Sequence, residues 1–368
     1  MKLFTVGPVA CYPEVLEEMG RQMLSHRSAE YRQLQRETVD GMKRFLETDS
    51  QVFLFPSSGT GFMEASVRNC VRRRMLCCVN GAFGKRYVEV GRSNGKEVLT
   101  LEAELGQPIQ PDSLDDLLAR NPDVEAVTVT YNETSVGLLN PLPELSEVVK
   151  KHGKLLFVDA VSAMGGVEIK VDRWGIDVCF GSSQKCFGLP PGLAMGSVSE
   201  EALKLSEKAE NKGWYFDFKL FEKYQLKEWS TPMTPAIPQI YALRRILKMI
   251  EERGGKEAQF RLYKERSARI REGVEKIGFT LFPKEGYESP TVTCVNAASN
   301  PSGPEIYEMM RNEGFELAKG YGAVKDRTFR IGNMGYIPIE DVESMLATLK
   351  RVIEAYRRKS EGSPRNPA

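Results

Sequence analysis

The chain has 368 residues, with 51 Lys+Arg against 50 Asp+Glu for a net charge of +1, so no global charge draws it to nucleic acid or a membrane surface. Its two histidines, His26 and His152, exclude a multi-histidine metal centre. The seven cysteines are odd in number and lack a CxxC spacing, which points to structural thiols in a reducing cytoplasm rather than a disulfide frame or zinc site.

The length accommodates one large domain and a smaller one. There is no signal-peptide pattern and no apolar run long enough to span a bilayer. The extended, turn-rich segment Thr5–Ala10 leads into a helical pattern from Pro13 through Met23, with proline in its first turn. After the polar loop Ser25-His26-Arg27-Ser28, a second helix is expected over about Glu30–Leu46. Short apolar runs then alternate with helical stretches. The strand candidates are Val52–Phe55, Met75–Val79, Glu97–Leu101, Ala126–Thr130, Leu155–Val158, Ile176–Phe180 and Leu193–Val198. Helical patterns between them include Gly61–Arg73, Phe83–Ser93, Ser113–Ala119 and Leu142–His152. This alternation reads as an α/β domain with a largely parallel sheet flanked by helices. The last two runs are separated by one turn, too short for a helical crossover, so the final strand is expected to run antiparallel.

Beyond residue 200 lie an aromatic- and lysine-rich stretch from Trp214 to Trp229 and a stiff linker, Thr231–Pro235. Helices over about Ile237–Glu252 and Gly255–Ile277 follow, then strand-like Thr291–Val295, helix Pro304–Asn312, strand-like Thr328–Ile331 and helix Ile339–Arg357. The expected division is an N-terminal segment 1–15, a large domain 16–253, a smaller α/β domain 254–358 and a disordered tail 359–368.

Polar clusters follow the strand candidates, along the edge where open α/β sheets bind ligands. Pro56–Gly61, with Ser58, Gly59 and Thr60, suits a phosphate at a helix N-terminus, although a plain capping turn has the same composition. Phe83 lies between two glycines in Asn80–Arg86, as a ring stacker or a core aromatic. Thr134 lies in Tyr131–Gly137, whose hydroxyls serve a ligand or cap a turn. Asp159 ends an apolar strand, where an unpaired charge is costly; a pyridinium nitrogen is one partner, an N-cap or magnesium site another. Lys185 follows Gln184 in Gly181–Gly192 and, if desolvated, can form a Schiff base with an aldehyde. Arg330, flanked by Phe329 and Ile331, can clamp a carboxylate. A phosphate cradle, a stacker, an acid and a Schiff-base lysine are together what pyridoxal phosphate requires.

At SSGTG with EA (57–65), NGAFGKR (80–86), ETSVG (133–137), VDAVSAMGG (158–166), GSSQK (181–185) and FRIGNMG (329–335), the chain resembles the class V aminotransferases. Within the fold-type I pyridoxal-phosphate enzymes these form the alanine–glyoxylate and serine–pyruvate aminotransferase group, and the similarity runs nearly the whole length. The resemblance implies a mostly parallel seven-stranded sheet with a smaller C-terminal domain, and a ping-pong transfer from a small amino acid to a 2-oxo acid. It implies that Lys185 carries the Schiff base and moves the substrate proton, that Asp159 pairs with the ring nitrogen, and that Phe83 stacks where many relatives have tryptophan. Thr134 would bond the ring hydroxyl; Ser58, Gly59, Thr60 and Gln184 would hold the phosphate. Thr231 and Thr234 would reach a neighbouring subunit's phosphate in a homodimer. Arg330 would bind the substrate carboxylate, and Gly7 would line its pocket. Ser25–Ser28 also resembles a phosphoserine aminotransferase loop, which leaves His26 and Arg27 between a substrate-phosphate contact and a structural role. The second His-Arg pair of those enzymes is replaced here by Gly320-Tyr321-Gly322, which favours small donors. A cysteine desulfurase on the same scaffold would have only Cys294 to use.

Overall fold

The computed structural model describes residues 1–299 and 301–361. Seven strands make one sheet: β1 (Gln51–Phe55), β2 (Arg74–Val79), β3 (Glu97–Glu102), β4 (Ala126–Thr130), β5 (Leu155–Asp159), β6 (Val178–Ser182) and β7 (Ala194–Val198). Their order is β1-β7-β6-β5-β4-β2-β3. All seven expected strands are there, shifted by no more than two residues at either end. β7 runs antiparallel to both β1 and β6, and the other neighbours are parallel. Residues 183–193 hold no helix that could carry the chain across the sheet, so it doubles back.

The continuous apolar runs are explained by burial on both faces. Side chains alternate along each strand: Leu54, Leu76, Val127 and Leu156 point to one core, while Phe53, Phe55, Met75 and Phe157 point to the other. Helices Ala29–Leu46 and Ile237–Glu252 cover the first face, and Gly59–Cys70, Ala82–Ser93 and Phe218–Glu228 the second. Phe55 packs against Phe62 and Phe221 with ring centroids 4.7 and 4.6 Å away. Truncating it to alanine would cost about 3–5 kcal/mol.

A second sheet, antiparallel, joins strands Val292–Asn296, Thr328–Gly332 and Ala318–Lys319 in that order. Helices Gly255–Lys276, Gly303–Asn312 and Ile339–Glu361 pack on it around Val295, Phe329, Ile331 and Leu349. The beginning of the chain belongs to this layer: Lys2–Leu3 pairs in parallel with Phe315–Glu316, and Phe4 enters the same core.

Three helical features differ from expectation. The first helix stops at Met19 rather than Met23. Two helices, Glu200–Lys208 and Phe218–Glu228, were not anticipated; Ser199 and Asp217 cap them through side-chain acceptors. The last helix reaches Glu361, so residues 359–361 of the expected tail are helical, and residues 362–368 lie outside the described residues.

Candidate active site

The C-terminal ends of β4, β5 and β6 meet at one edge, with Thr130 beside Asp159 and Asp159 beside Phe180 in the ladders. Asp159 is buried, and its Oδ1 accepts from the Val161 N–H at 2.9 Å. Burial pushes its carboxyl up to about 6, and nearby Glu133 pushes the same way. After β6 the chain closes a turn: the Ser183 hydroxyl donates to the Pro190 carbonyl (2.8 Å), and the Gly188 N–H to the Lys185 carbonyl (2.8 Å). This turn fixes Lys185, which is only 8% exposed. Its Nζ donates to the Val6 carbonyl. Burial lowers the amine to about 8, and the Arg330 charge acts in the same direction.

Gly7 lies against that lysine. A Cβ there would come within 2.7–2.8 Å of the Lys185 Cδ, Cε and Nζ, and its φ of +109° suits glycine. The N-terminal segment therefore closes over the amine, which no periodicity in the sequence announces.

The Gly59–Cys70 helix starts with Ser58 at the N-cap, without a side-chain cap bond, so the N–H groups of its first turn have no capping side chain. Gly59 packs closely: a Cβ on it would lie 2.5 Å from Val161 Cγ2 and 3.7 Å from Ser182 Oγ. Two buried polar atoms here, Ser182 Oγ and Gln184 Oε1, have no hydrogen-bond partner. Each orphan costs about 1–3 kcal/mol unless a further group satisfies it. Helix N–H groups, two hydroxyls and an amide suit a phosphate. Asp159 and Lys185 beside them suit a ring nitrogen and an aldehyde. These residues fit pyridoxal phosphate.

Glu133, unexposed at the tip of the hairpin Asn132–Glu133/Leu138–Leu139, organises the next part. Its Oε2 accepts from the N–H groups of Phe83 (3.0 Å) and Gly84 (3.1 Å), and its Oε1 from the Ser135 N–H (3.1 Å) and hydroxyl (2.6 Å). Ser135 Oγ in turn accepts from the Ala82 N–H at 3.0 Å. The pair thus caps the Ala82–Ser93 helix and holds Phe83 in place. Burial raises the Glu133 carboxyl, while these hydrogen bonds oppose the rise. The Arg86 guanidinium sits 4.7 Å from the Phe83 ring centre.

Thr134, in the same hairpin, donates its hydroxyl to Ser162 Oγ at 2.6 Å. Its carbonyl accepts from Arg330 Nη1 at 3.0 Å, while Arg330 Nε and Nη2 both donate to the Lys319 carbonyl at 3.0 and 2.9 Å. Arginine has five N–H donors; three are engaged here, leaving one on each terminal nitrogen, a pair that a carboxylate can bridge. No carboxylate of the chain pairs with Arg330 among the described residues.

The structure does not bring every expected residue to this cluster. Thr231 is buried and donates to the Met233 carbonyl (2.7 Å), and Thr234 is exposed. Arg27 Nη1 donates to Ser230 Oγ (2.6 Å) and the Thr231 carbonyl (2.8 Å), and its guanidinium lies over Tyr224. His26 is half-buried on the same loop. Glu133, Ser135, Ser162, Ser182 and Tyr321 were not picked out as site residues. Glu133 follows the fully buried β4 by three residues, but nothing in its spacing marks the partners that give it its place. A cleft of about 1160 Å³ opens at the opposite edge, lined by Lys96, Glu125, Lys150 and Asp177; it holds none of these groups. Among the described residues no three His, Cys, Asp or Glu side chains are grouped for a metal.

The family model for aminotransferase class-V matches residues 11–345. An uncharacterized aminotransferase of Methanocaldococcus jannaschii is 33% identical over 96% of this chain and 92% of its own. A serine–glyoxylate aminotransferase of Methylorubrum extorquens is 30% identical over 90% and 86%. The crystal structure of an alanine–glyoxylate aminotransferase from Nostoc sp. superposes with a TM-score of 0.91 at 28% identity, covering 95% of this chain and 94% of that one. The family model spans most of the chain, and the relatives match it along nearly its whole length: the chain belongs to the class-V aminotransferases.

Proposed function

We propose that the chain binds pyridoxal 5′-phosphate at Lys185 and moves an amino group from a small amino acid to a 2-oxo acid. The observation that carries this reading is the buried pair of Lys185 and Asp159, with the amine lowered to about 8 and the carboxyl raised to about 6. A lysine in that range can give and take a proton near neutral pH. The bound cofactor would supply an electron-withdrawing ring that acidifies the substrate Cα–H.

The chain's own residues do the rest. Asp159 faces the ring nitrogen and Phe83 covers the ring, with Thr134 at the ring hydroxyl. Ser58, Gly59, Thr60 and Gln184, joined by Ser182, hold the phosphate. Arg330 takes the substrate carboxylate on its two remaining N–H groups, which turns Cα toward the Lys185 amine. Gly7 leaves room for that amine to move. Thr231 and Thr234 serve a second subunit's site in a homodimer. The large and small domains divide at 253/254, and the reduced cysteines suit a cytoplasmic location. No helix among the described residues is long and apolar enough to cross a membrane.

Glyoxylate is the favoured acceptor, because relatives named for it pair with serine in one case and alanine in another. A phosphorylated donor is less favoured, since Arg27 is already engaged by Ser230, Thr231 and Tyr224. Cys294 lies buried in a strand, its thiol raised to about 12 by burial, which argues against a sulfur-transfer nucleophile.

The test is the visible spectrum of the purified protein with cofactor. A band lost on borohydride treatment, with mass added at Lys185, and bleached by alanine or serine, supports the reading. Recovery of the band with glyoxylate completes it. No adduct at Lys185 would overturn it.

A further inference from the structure

We infer that Tyr321 is the specificity-determining residue of this site, an aromatic wall that confines the donor to small side chains; this rests on the transaminase reading above. Tyr321 lies in the turn between strands Ala318–Lys319 and Thr328–Gly332, the hairpin that supplies both Arg330 and the Lys319 carbonyl holding it. Its ring centre is 5.6 Å from the Arg330 guanidinium carbon. On the other side it stacks on Phe83, with centroids 6.0 Å apart and planes 15° apart. Its hydroxyl accepts from Arg86 Nη2 at 3.4 Å. One phenol therefore spans from the carboxylate arginine to the ring stacker, joining a residue of the C-terminal sheet to the helix Ala82–Ser93.

The turn that carries this ring is closely packed at its base. A Cβ on Gly320 would lie 2.6–2.7 Å from Thr328 Oγ1 and the Val324 and Lys325 carbonyls, and Gly322 has a φ of +61°. Val324 is buried against Val136 and Leu138 of the Glu133 hairpin. Tyr321 stays 41% exposed, so it stands at the mouth of the site.

A donor bound through Arg330 and reaching Lys185 with its amine passes this ring. The phenol tolerates a methyl or hydroxymethyl group beside it. A longer side chain needs the space the ring fills, and a second carboxylate would find both guanidiniums partly covered by it.

The experiment uses loaded enzyme and single half-reactions with alanine, serine, leucine, phenylalanine and glutamate, for wild type, Tyr321→Ala and Tyr321→Phe. The expected result is that Tyr321→Ala shifts the ratio of kcat/KM toward the larger donors, relative to alanine, by about tenfold or more, while Tyr321→Phe keeps the wild-type ratio. Binding of unreactive carboxylates gives a second readout: 3-phenylpropionate should gain on propionate in Tyr321→Ala alone. A wild type active on alanine whose donor ratios survive Tyr321→Ala overturns this inference and leaves the transaminase reading standing. A wild type inert to every donor removes both.

Discussion

Replacing Glu133 with glutamine tests whether one buried carboxylate organises the site. The two oxygens of Glu133 accept four hydrogen bonds, two each from the Phe83–Gly84 backbone and from Ser135. Glutamine has one oxygen and one NH2, so in either orientation two donors face another donor. A hydrogen bond to a charged acceptor is worth about 1.5–3 kcal/mol. Losing two, less the relief of no longer burying a charge whose pKa burial already raises, leaves a net loss of about 3 kcal/mol. The first turn of the Ala82–Ser93 helix then loosens and Phe83 with it, so cofactor affinity should fall by about tenfold or more. The assays are urea unfolding of the cofactor-free protein and equilibrium dialysis of pyridoxal phosphate. Glu133→Asp, which keeps the charge but shortens the reach, should fall between the two. Stability within about 0.5 kcal/mol of wild type, together with unchanged cofactor affinity, would refute the reasoning.

Lys185→Met should stabilise the cofactor-free protein at pH 7. Lowering the amine from 10.5 to about 8 by burial corresponds to about 3 kcal/mol held against folding at ~1.4 kcal/mol per pKa unit. The folded state binds fewer protons than the unfolded one between pH 8 and 10.5, so wild-type stability rises there and the gap to the variant closes; denaturant midpoints from pH 7 to 10 check this. For Asp159, raised to about 6, the neutral form dominates below that pH and makes no ion pair with a protonated ring nitrogen. Cofactor affinity should therefore fall as pH drops through about 6, and Asp159→Asn should be weak and lack that step; a wild-type affinity flat from pH 5 to 8 would contradict the assignment.

The sheet was legible because β2, β4, β5, β6 and β7 are short apolar runs bounded by turns, and full burial on both faces is what such runs require. Even the reversal at β7 could be read, since a turn of that length holds no crossover helix. Helix ends were less legible: Ser58 begins its helix at Gly59, two residues before the apolar pattern makes it visible. The Glu200–Lys208 helix carried its signal in Ser199 followed by Glu200 and Glu201, but it sat in a stretch read only for its change of composition. In the candidate site, Asp159 and Lys185 could be singled out because one ends a strand and the other lies in the turn just after one. Glu133 and Tyr321 were not, because their roles depend on Phe83, a partner 50 residues away in one case and far across the chain in the other. Sequence spacing does not encode such meetings.

The pairing of Lys2–Leu3 with Phe315–Glu316, and the contact of Val6 and Gly7 with Lys185, has a consequence for the order of assembly. Residues 2 and 3 have no strand partner until one some 310 residues later has been made. The sheet around Lys185 can form earlier, but the carbonyl that receives its amine cannot be set until the C-terminal layer closes. The surroundings of the Lys185 amine are thus completed by stretches far apart in the sequence. Removing residues 2–7 would therefore disturb the amine itself.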